Sequence, residues 1–363
     1  MLETYPLEKL TAPLLEWYSA NARKLPWRDT KDPYKIWVSE IMLQQTRVEA
    51  VKAYFARFIK ELPDVRALAE CDEERLLKLW EGLGYYNRAR NMQSAAKTVM
   101  QSYGGKLPVD YEELLKLKGV GSYTAGAIAS IAYNIPAPAV DGNVLRILMR
   151  VSEDDSDIAK QSVKALAEKR LLSVIPKKNA GMFTQAMMEL GAIVCVPNGE
   201  PKCQECPWRP YCLAAAHGTF ALLPVKGGKK PRTIEEKTVF LICDGKKVLL
   251  HQRPKKGLLA GMYEFPNEPG HLSTKEAAAY VERMELEPLR IEPMEEAKHI
   301  FSHKEWRMTG YLVHIAQLDD AYAKDIEGGY VFAEAKDSER KYAIPSAFAK
   351  YARYMDIRLG KMK

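Results

Sequence analysis

The chain has 363 residues, 47% of them hydrophobic and 28% charged, which is the make-up of a globular protein with room for two or three domains. Its net charge of +7 is spread over both halves, so it permits a nucleic-acid partner without pointing to one. No apolar run approaches the roughly 20 residues of a membrane span. Glu3, Glu8 and Glu16 interrupt any signal-peptide core, so a soluble intracellular protein is expected.

Apolar residues at i, i+3 and i+4 predict helices near 6–22, 34–62, 72–82, 86–103, 123–133, 143–152, 157–172 and 178–194, which makes residues 1–225 an all-α domain. Breakers such as Leu25-Pro26, Gly82-Leu83-Gly84, Gly104-Gly105 and Pro136-Ala137-Pro138 separate them. A charged, glycine-containing stretch with Lys229, Lys230 and Arg232 reads as a linker over 226–235. Residues 236–363 then read as an α+β domain. Thr238–Cys243 and Lys247–His251 flank Asp244-Gly245, the pair favoured in type I′ hairpin turns. A helix near 273–285, strands near 289–301 and 307–316 and a last helix near 345–356 follow.

The histidines constrain the chemistry. All six lie at or after His217, so residues 1–216 hold no Ser-His-Asp triad, no Cys-His pair and no His-ligated metal. Catalysis there falls to carboxylates, Lys, Tyr or Cys.

Four of six cysteines fall in 195–212, as Cys195, Cys203, Cys206 and Cys212. Four thiolates drawn together repel unless a cation neutralises them, so a metal site is expected, and the spacing leaves a Cys₄ zinc and a [4Fe–4S] cluster both open. Cys71 and Cys243 lie apart and read as core thiols. The run Leu117-Lys118-Gly119-Val120-Gly121-Ser122 joins two helical segments. It suits an ordinary helical corner or a seat for a backbone phosphate. Asp141 precedes a helix and serves as its N-cap, or as an anion able to stabilise a cation or act as nucleophile. Glu40 shares a polar stripe with Gln44 and Arg47. That stripe reads as a solvated face, against which stands a carboxylic acid of raised pKa among Trp37, Ile41 and Leu43. In Gly82–Arg88, Tyr85 is either a packed loop residue or a wedge beside a base stack.

Taken together, the hairpin Leu117–Gly121, Asp141, the cysteine cluster and Glu40 within Ser39-Glu40-Ile41-Met42-Leu43-Gln44-Gln45-Thr46 resemble the helix-hairpin-helix DNA glycosylases that carry a Gly/Pro-rich loop followed by an Asp. The whole chain resembles the MutY-type adenine DNA glycosylases, since a second domain with Phe301-Ser302-His303 follows. The resemblance implies a helical glycosylase domain with a [4Fe–4S] loop at 195–212 and a C-terminal MutT-like (Nudix-fold) domain that reads 8-oxoguanine. It implies a monomer acting on double-stranded DNA in the bacterial cytosol, without membrane contact, and excising adenine opposite 8-oxoguanine or guanine from a flipped nucleotide.

By the same resemblance Glu40 protonates the adenine and later activates water, while Asp141 stabilises the oxocarbenium ion. Trp27, Arg28 and Asn143 fall at pocket positions, Gln45 and Tyr85 at positions that probe the lesion or fill the gap, Gly119 and Gly121 at the phosphate hairpin, and Ser302 and His303 at contacts to 8-oxoguanine. Tyr123 stands where the endonuclease III enzymes carry a Schiff-base Lys, which implies a monofunctional enzyme. The acidic magnesium box of true Nudix hydrolases is absent, so the second domain is expected to recognise rather than hydrolyse. One spacing departs from the family: seven residues rather than six separate the first two cluster cysteines, an insertion expected on the surface of Pro197–Lys202.

Overall fold

Helices and strands form close to where sequence spacing puts them in the computed structural model, which describes residues 1–228, 231–317 and 329–359. The Lys229-Lys230 pair of the expected linker lies outside the described residues. The chain divides into two units, one of Met1–Glu70 and Arg90–Gly228, the other of Cys71–Ala89 and Lys229–Lys363. Segment 71–89 thus groups with the C-terminal sheet rather than with the helices that flank it in sequence.

In chain order the helices are α1 (Glu8–Asn21), α2 (Pro33–Leu43), α3 (Val48–Glu61), α4 (Val65–Glu70), α5 (Glu73–Trp80), α6 (Asn87–Ser102), α7 (Tyr111–Leu115), α8 (Ser122–Tyr133), α9 (Gly142–Ser152), α10 (Gln161–Leu172), α11 (Ala180–Ile193) and the short α12 (Leu213–His217). The expected helix over 34–62 is two helices. Its periodicity runs through the break, but Gln44 turns extended and Gln45 takes a left-handed backbone (φ 59°), so the chain reverses in a polar run that holds neither Gly nor Pro.

α2 starts with Asp32 accepting from the Tyr34 N–H at 2.9 Å and with Pro33 in its first turn, where a missing N–H costs nothing. The helix is apolar nearly all round and is accordingly buried on most of its faces. α1, α9 and α11 close around a core that includes Leu14, Val144, Leu148, Phe183, Ala186 and Leu190.

The second unit is built on one mixed seven-stranded sheet with β1 (Thr233–Cys243), β2 (Lys247–Gln252), β3 (Tyr263–Glu264), β4 (Asn267–Pro269), β5 (Pro288–Ile300), β6 (Lys304–Ile315) and β7 (Tyr330–Glu334). The main order is β3-β2-β1-β6-β5, with β4 on β1 and β7 on β2; β1 and β6 run parallel. β1 is central and buried on both faces. Val239 and Leu241 enter one apolar layer with Phe265, Trp306 and Phe348, and Phe240 and Ile242 enter the other with Tyr280 and Val281 of α13 (Thr274–Arg283).

The hairpin after β1 forms, but not as a type I′ turn on Asp244-Gly245. Gly245 alone has positive φ (89°), while Asp244, the first residue past β1, accepts from the Lys246 and Lys247 N–H groups through its side chain. The last expected helix, 345–356, breaks into a short α-helix at Ala349–Ala352 between two 3₁₀ turns. Among the described residues no helix is long and apolar enough to cross a membrane.

Candidate active site

α2, α8, α9 and α11 and the loops before α2 and α3 enclose a cavity of about 490 Å³, within the roughly 300–1,000 Å³ of small-ligand pockets. Trp27, Arg28, Glu40, Gln45, Tyr123, Asp141 and Asn143 all line it. Gln45, in its left-handed conformation at the break after α2, is one of these lining residues.

Glu40 overturns the expectation of a solvated stripe, since it is only 4% exposed. It sits on buried α2, and Tyr123 Oη donates to its Oε2 at 2.7 Å. Burial pushes its carboxyl up to about 7, with the Asp141 charge adding to the rise while the Tyr123 hydrogen bond and Arg28 oppose it. The Tyr123 phenol is itself pushed well up, chiefly by burial.

Asp141 is the N-cap of α9. Its Oδ1 accepts from the Asn143 and Val144 N–H groups at 2.9 and 2.8 Å, and its Oδ2 from Asn143 Nδ2 at 2.7 Å. The capping and functional readings therefore describe one geometry: an anion fixed at the positive end of a helix dipole and facing the cavity.

Two supporting groups carry no motif and escaped the sequence reading. Glu189, fully buried on α11, accepts from the Arg23 N–H, Nε and Nη2 and from Arg28 Nη2 at 2.7–2.9 Å, which fixes Arg28 at the cavity wall. Burial alone raises the Glu189 carboxyl, but the hydrogen bonds from Arg23 and Arg28 outweigh it and hold the group at about 2. Its one signal was an acidic residue inside an otherwise apolar helix. On α9, Arg146 bridges Asn143 Oδ1 at 3.0 Å to the Cys195 carbonyl at 3.0 Å. Arg150 donates to Cys195 Sγ at 3.3 Å. The signal there was an i, i+4 arginine pair on a helix with a buried face.

The four cysteines converge. Cys195, Cys203, Cys206 and Cys212 line one small cavity of about 30 Å³ together with Arg150 and Arg209. Burial raises the thiols of Cys203 and Cys212 and pushes that of Cys206 up to about 12; the neighbouring cysteines add to the rise, while Arg150 and Arg209 oppose it at Cys203. Among the described residues no three Cys, His, Asp or Glu form a group able to hold a single metal ion. Residues 197–200, in the loop that carries the additional residue, are exposed. Cys243 is buried in β1, and Cys71 is half-buried and far along the chain from the cluster.

The remaining expected residues lie elsewhere. Gly119 and Gly121 form the α7–α8 hairpin. Gly119 has φ 82°, and a Cβ there would stand 2.7 Å from Asn91 Cβ, so only glycine fits. In the second unit the Tyr85 hydroxyl lies 2.8 Å from Ser302 Oγ. His303 is exposed beside Ser302, and its carbonyl accepts from the Thr233 N–H at 3.1 Å.

A helical frame with a hairpin and two cavity carboxyls, joined to a sheet domain, is that of a base-excision repair glycosylase. Residues 38–172 match the model of the HhH-GPD superfamily base excision DNA repair proteins, and residues 238–354 match a NUDIX domain. An adenine DNA glycosylase of Buchnera aphidicola subsp. Baizongia pistaciae is 35% identical over 80% of this chain and 82% of its own. That of Mus musculus is 35% identical over 87% of this chain and 72% of its own. A thermostable thymine-DNA glycosylase structure superposes at a TM-score of 0.52 and 28% identity, covering 58% of this chain and 97% of that one. The chain belongs to the adenine DNA glycosylase family.

Proposed function

We propose that the protein excises adenine mispaired with 8-oxoguanine or guanine in double-stranded DNA, by hydrolysing the N-glycosidic bond of the flipped nucleotide without cutting the strand. One observation carries the reading: a buried carboxyl poised at about 7, hydrogen-bonded to Tyr123, shares a cavity with a helix-capping Asp.

In the mechanism, protonated Glu40 gives its proton to the adenine ring, and the C1′–N9 bond breaks with its electron pair leaving on the base. The oxocarbenium ion is held by the Asp141 carboxylate, which α9 and Asn143 orient. Glu40, now ionised, takes a proton from the water that adds to C1′. Trp27, Arg28 and Asn143 line the pocket for the extruded base, Gln45 probes the lesion or fills the gap, Gly119 and Gly121 present N–H groups to a backbone phosphate, and Tyr85, Ser302 and His303 contact the base opposite adenine. Tyr123 cannot form a Schiff base, which supports a monofunctional enzyme.

Cys195, Cys203, Cys206 and Cys212 fit a [4Fe–4S] cluster, which when bound supplies Fe–S cross-links to the 195–212 loop. The fit rests on four half-buried thiols that line one cavity together with Arg150 and Arg209, a donor set and a positive surround suited to an anionic thiolate cluster. The setting in keeping with this activity is a monomer in the bacterial cytosol.

A single-turnover assay on a duplex with one adenine opposite 8-oxoguanine tests the reading. Strand cleavage seen only after hot alkali, and lost in Asp141→Asn, is the expected result. Cleavage without alkali would overturn the monofunctional assignment, and no product from folded, iron-loaded protein would overturn the activity.

A further inference from the structure

The geometry points to Lys78 and Glu81 as positioning residues that set the Tyr85–Ser302 pair, and through it the enzyme's discrimination between 8-oxoguanine and guanine. The inference rests on the proposed reading that Tyr85 and Ser302 contact the base opposite adenine.

The segment 71–89 belongs to the unit that holds the sheet, and one face of α5 explains why. Glu74, Lys78 and Glu81 are spaced i, i+4, i+7, so they line up on that face. Glu74 accepts from Tyr263 Oη at 3.1 Å and Gln252 Nε2 at 3.2 Å. Lys78 is 1% exposed, and its ammonium donates to Glu81 Oε2 at 2.9 Å and to the carbonyls of Ser338 and Tyr342 at 3.1 and 3.0 Å. Glu81 Oε1 accepts from the Ile344 N–H at 2.8 Å. A buried ion pair bonded on every side tolerates only one arrangement, so it fixes the register of the elements it joins.

Both members of the lesion pair hang from this clip. On one side, the loop after Glu81 is fastened to the end of α5. Trp80 Nε1 donates to the Gly84 carbonyl at 3.1 Å, and Arg88 Nη2 donates to the Leu83 and Gly84 carbonyls at 3.2 and 3.1 Å. The Arg88 guanidinium also lies over the rings of Trp80 and Tyr85. Tyr85, left-handed at φ 49° and 48% exposed, therefore goes where α5 goes. On the other side, Tyr263 N–H donates to the Ala343 carbonyl at 2.9 Å, which ties the clipped segment to β3 and so to the sheet whose β5–β6 turn carries Ser302. Lys78 and Glu81 thereby hold Tyr85 within reach of Ser302.

The test uses the whole 363-residue chain, iron-loaded. Lys78→Met/Glu81→Gln removes both charges, while the amide oxygen of the new side chain can still accept from the Ile344 N–H. Single-turnover excision is measured opposite 8-oxoguanine and opposite guanine, beside Tyr85→Ala and Ser302→Ala. The ratio of the two rates is expected to fall at least fivefold, with the rate opposite guanine within twofold of the parent. Adding Ser302→Ala should lower the ratio no further, because the residues act through one contact. A ratio within twofold of the parent while Ser302→Ala lowers it, or losses that add, would overturn the inference. If neither Tyr85→Ala nor Ser302→Ala changes the ratio, the reading beneath it fails instead. Should the double variant not fold, Glu74→Ala, at the exposed end of the same face, decides: a ratio down at least twofold upholds the inference and an unchanged one refutes it.

Discussion

Glu40→Gln should stabilise the protein at alkaline pH while abolishing its activity. The Glu40 carboxyl lies at about 7 in the folded chain, against 4.5 for an unperturbed glutamate. The native state therefore binds the proton more tightly than the unfolded state. Stability from this group is complete below pH 4.5, falls as pH rises from 4.5 to about 7, and is fully lost above that. At about 1.36 kcal/mol per pH unit the loss totals on the order of 3 kcal/mol. Gln keeps an oxygen for the Tyr123 hydroxyl and never charges. The variant should match the parent near pH 4.5 and exceed it by up to about 3 kcal/mol at pH 8.5, a gain of roughly 6–12 °C in melting temperature for a unit of this size. Melting followed by circular dichroism from pH 4.5 to 8.5 gives the difference, and single-turnover excision gives the activity. Stability curves that run parallel for the two proteins would refute a buried, proton-holding Glu40, whatever the activity.

Asp141→Asn keeps an oxygen to cap α9, so its unfolding free energy should change by less than about 1 kcal/mol, while single-turnover excision falls by about 10³-fold or more for loss of the stabilising charge. Glu189→Ala strands Arg23 and Arg28 and should cost about 3 kcal/mol by urea unfolding, an amount moderated by the partial exposure of Arg23. Because Glu189 is held at about 2, its contribution to stability should persist above pH 4.5 and disappear as pH falls through 2. Gly119→Ala meets both a positive φ and the Asn91 Cβ, so it should weaken binding of undamaged duplex at least fivefold in titrations while leaving the rate at saturating enzyme within twofold.

Most helices and strands were legible because their apolar residues recur at a helical or strand period, and that period directly reports which face is buried. What the period hides is a turn that keeps it. The break at Gln44–Arg47 passed unseen because apolar spacing continues across it and no Gly or Pro marks it. The Asp244-Gly245 pair announced a hairpin but not its type, since the Asp244 side chain bonds the Lys246 and Lys247 N–H groups and leaves the positive φ to Gly245 alone. In the site, Asp141 and the cysteines carried local signatures. By its local pattern alone, apart from the motif that carries the resemblance, Glu40 could not be told from a solvated glutamate, because its hydrogen-bond partner Tyr123 lies on α8, 83 residues along the chain. Glu189 and Arg146 gave only weak local signals for the same reason: a buried charge acquires its meaning from partners the chain brings together only on folding.

The two cavity carboxyls divide their work because each shapes the other. Asp141 faces three N–H groups and a helix dipole, so it presents an anion to the cavity. That anion is one of the forces keeping the proton on Glu40. Once Glu40 has given the proton to the base, two carboxylates share one small space, and the arrangement is relieved only by a cation between them. The oxocarbenium sugar is that cation. The repulsion that favours a protonated Glu40 before departure of the base thus becomes attraction for the intermediate afterwards. Asp141→Asn should accordingly do two things at once: remove the stabilising charge and lower the pH at which Glu40 loses its proton. If Glu40 titrated at an unchanged pH in that variant, followed by the carboxyl carbon signal of labelled glutamate, the coupling between the two groups would be wrong even though the loss of activity remained.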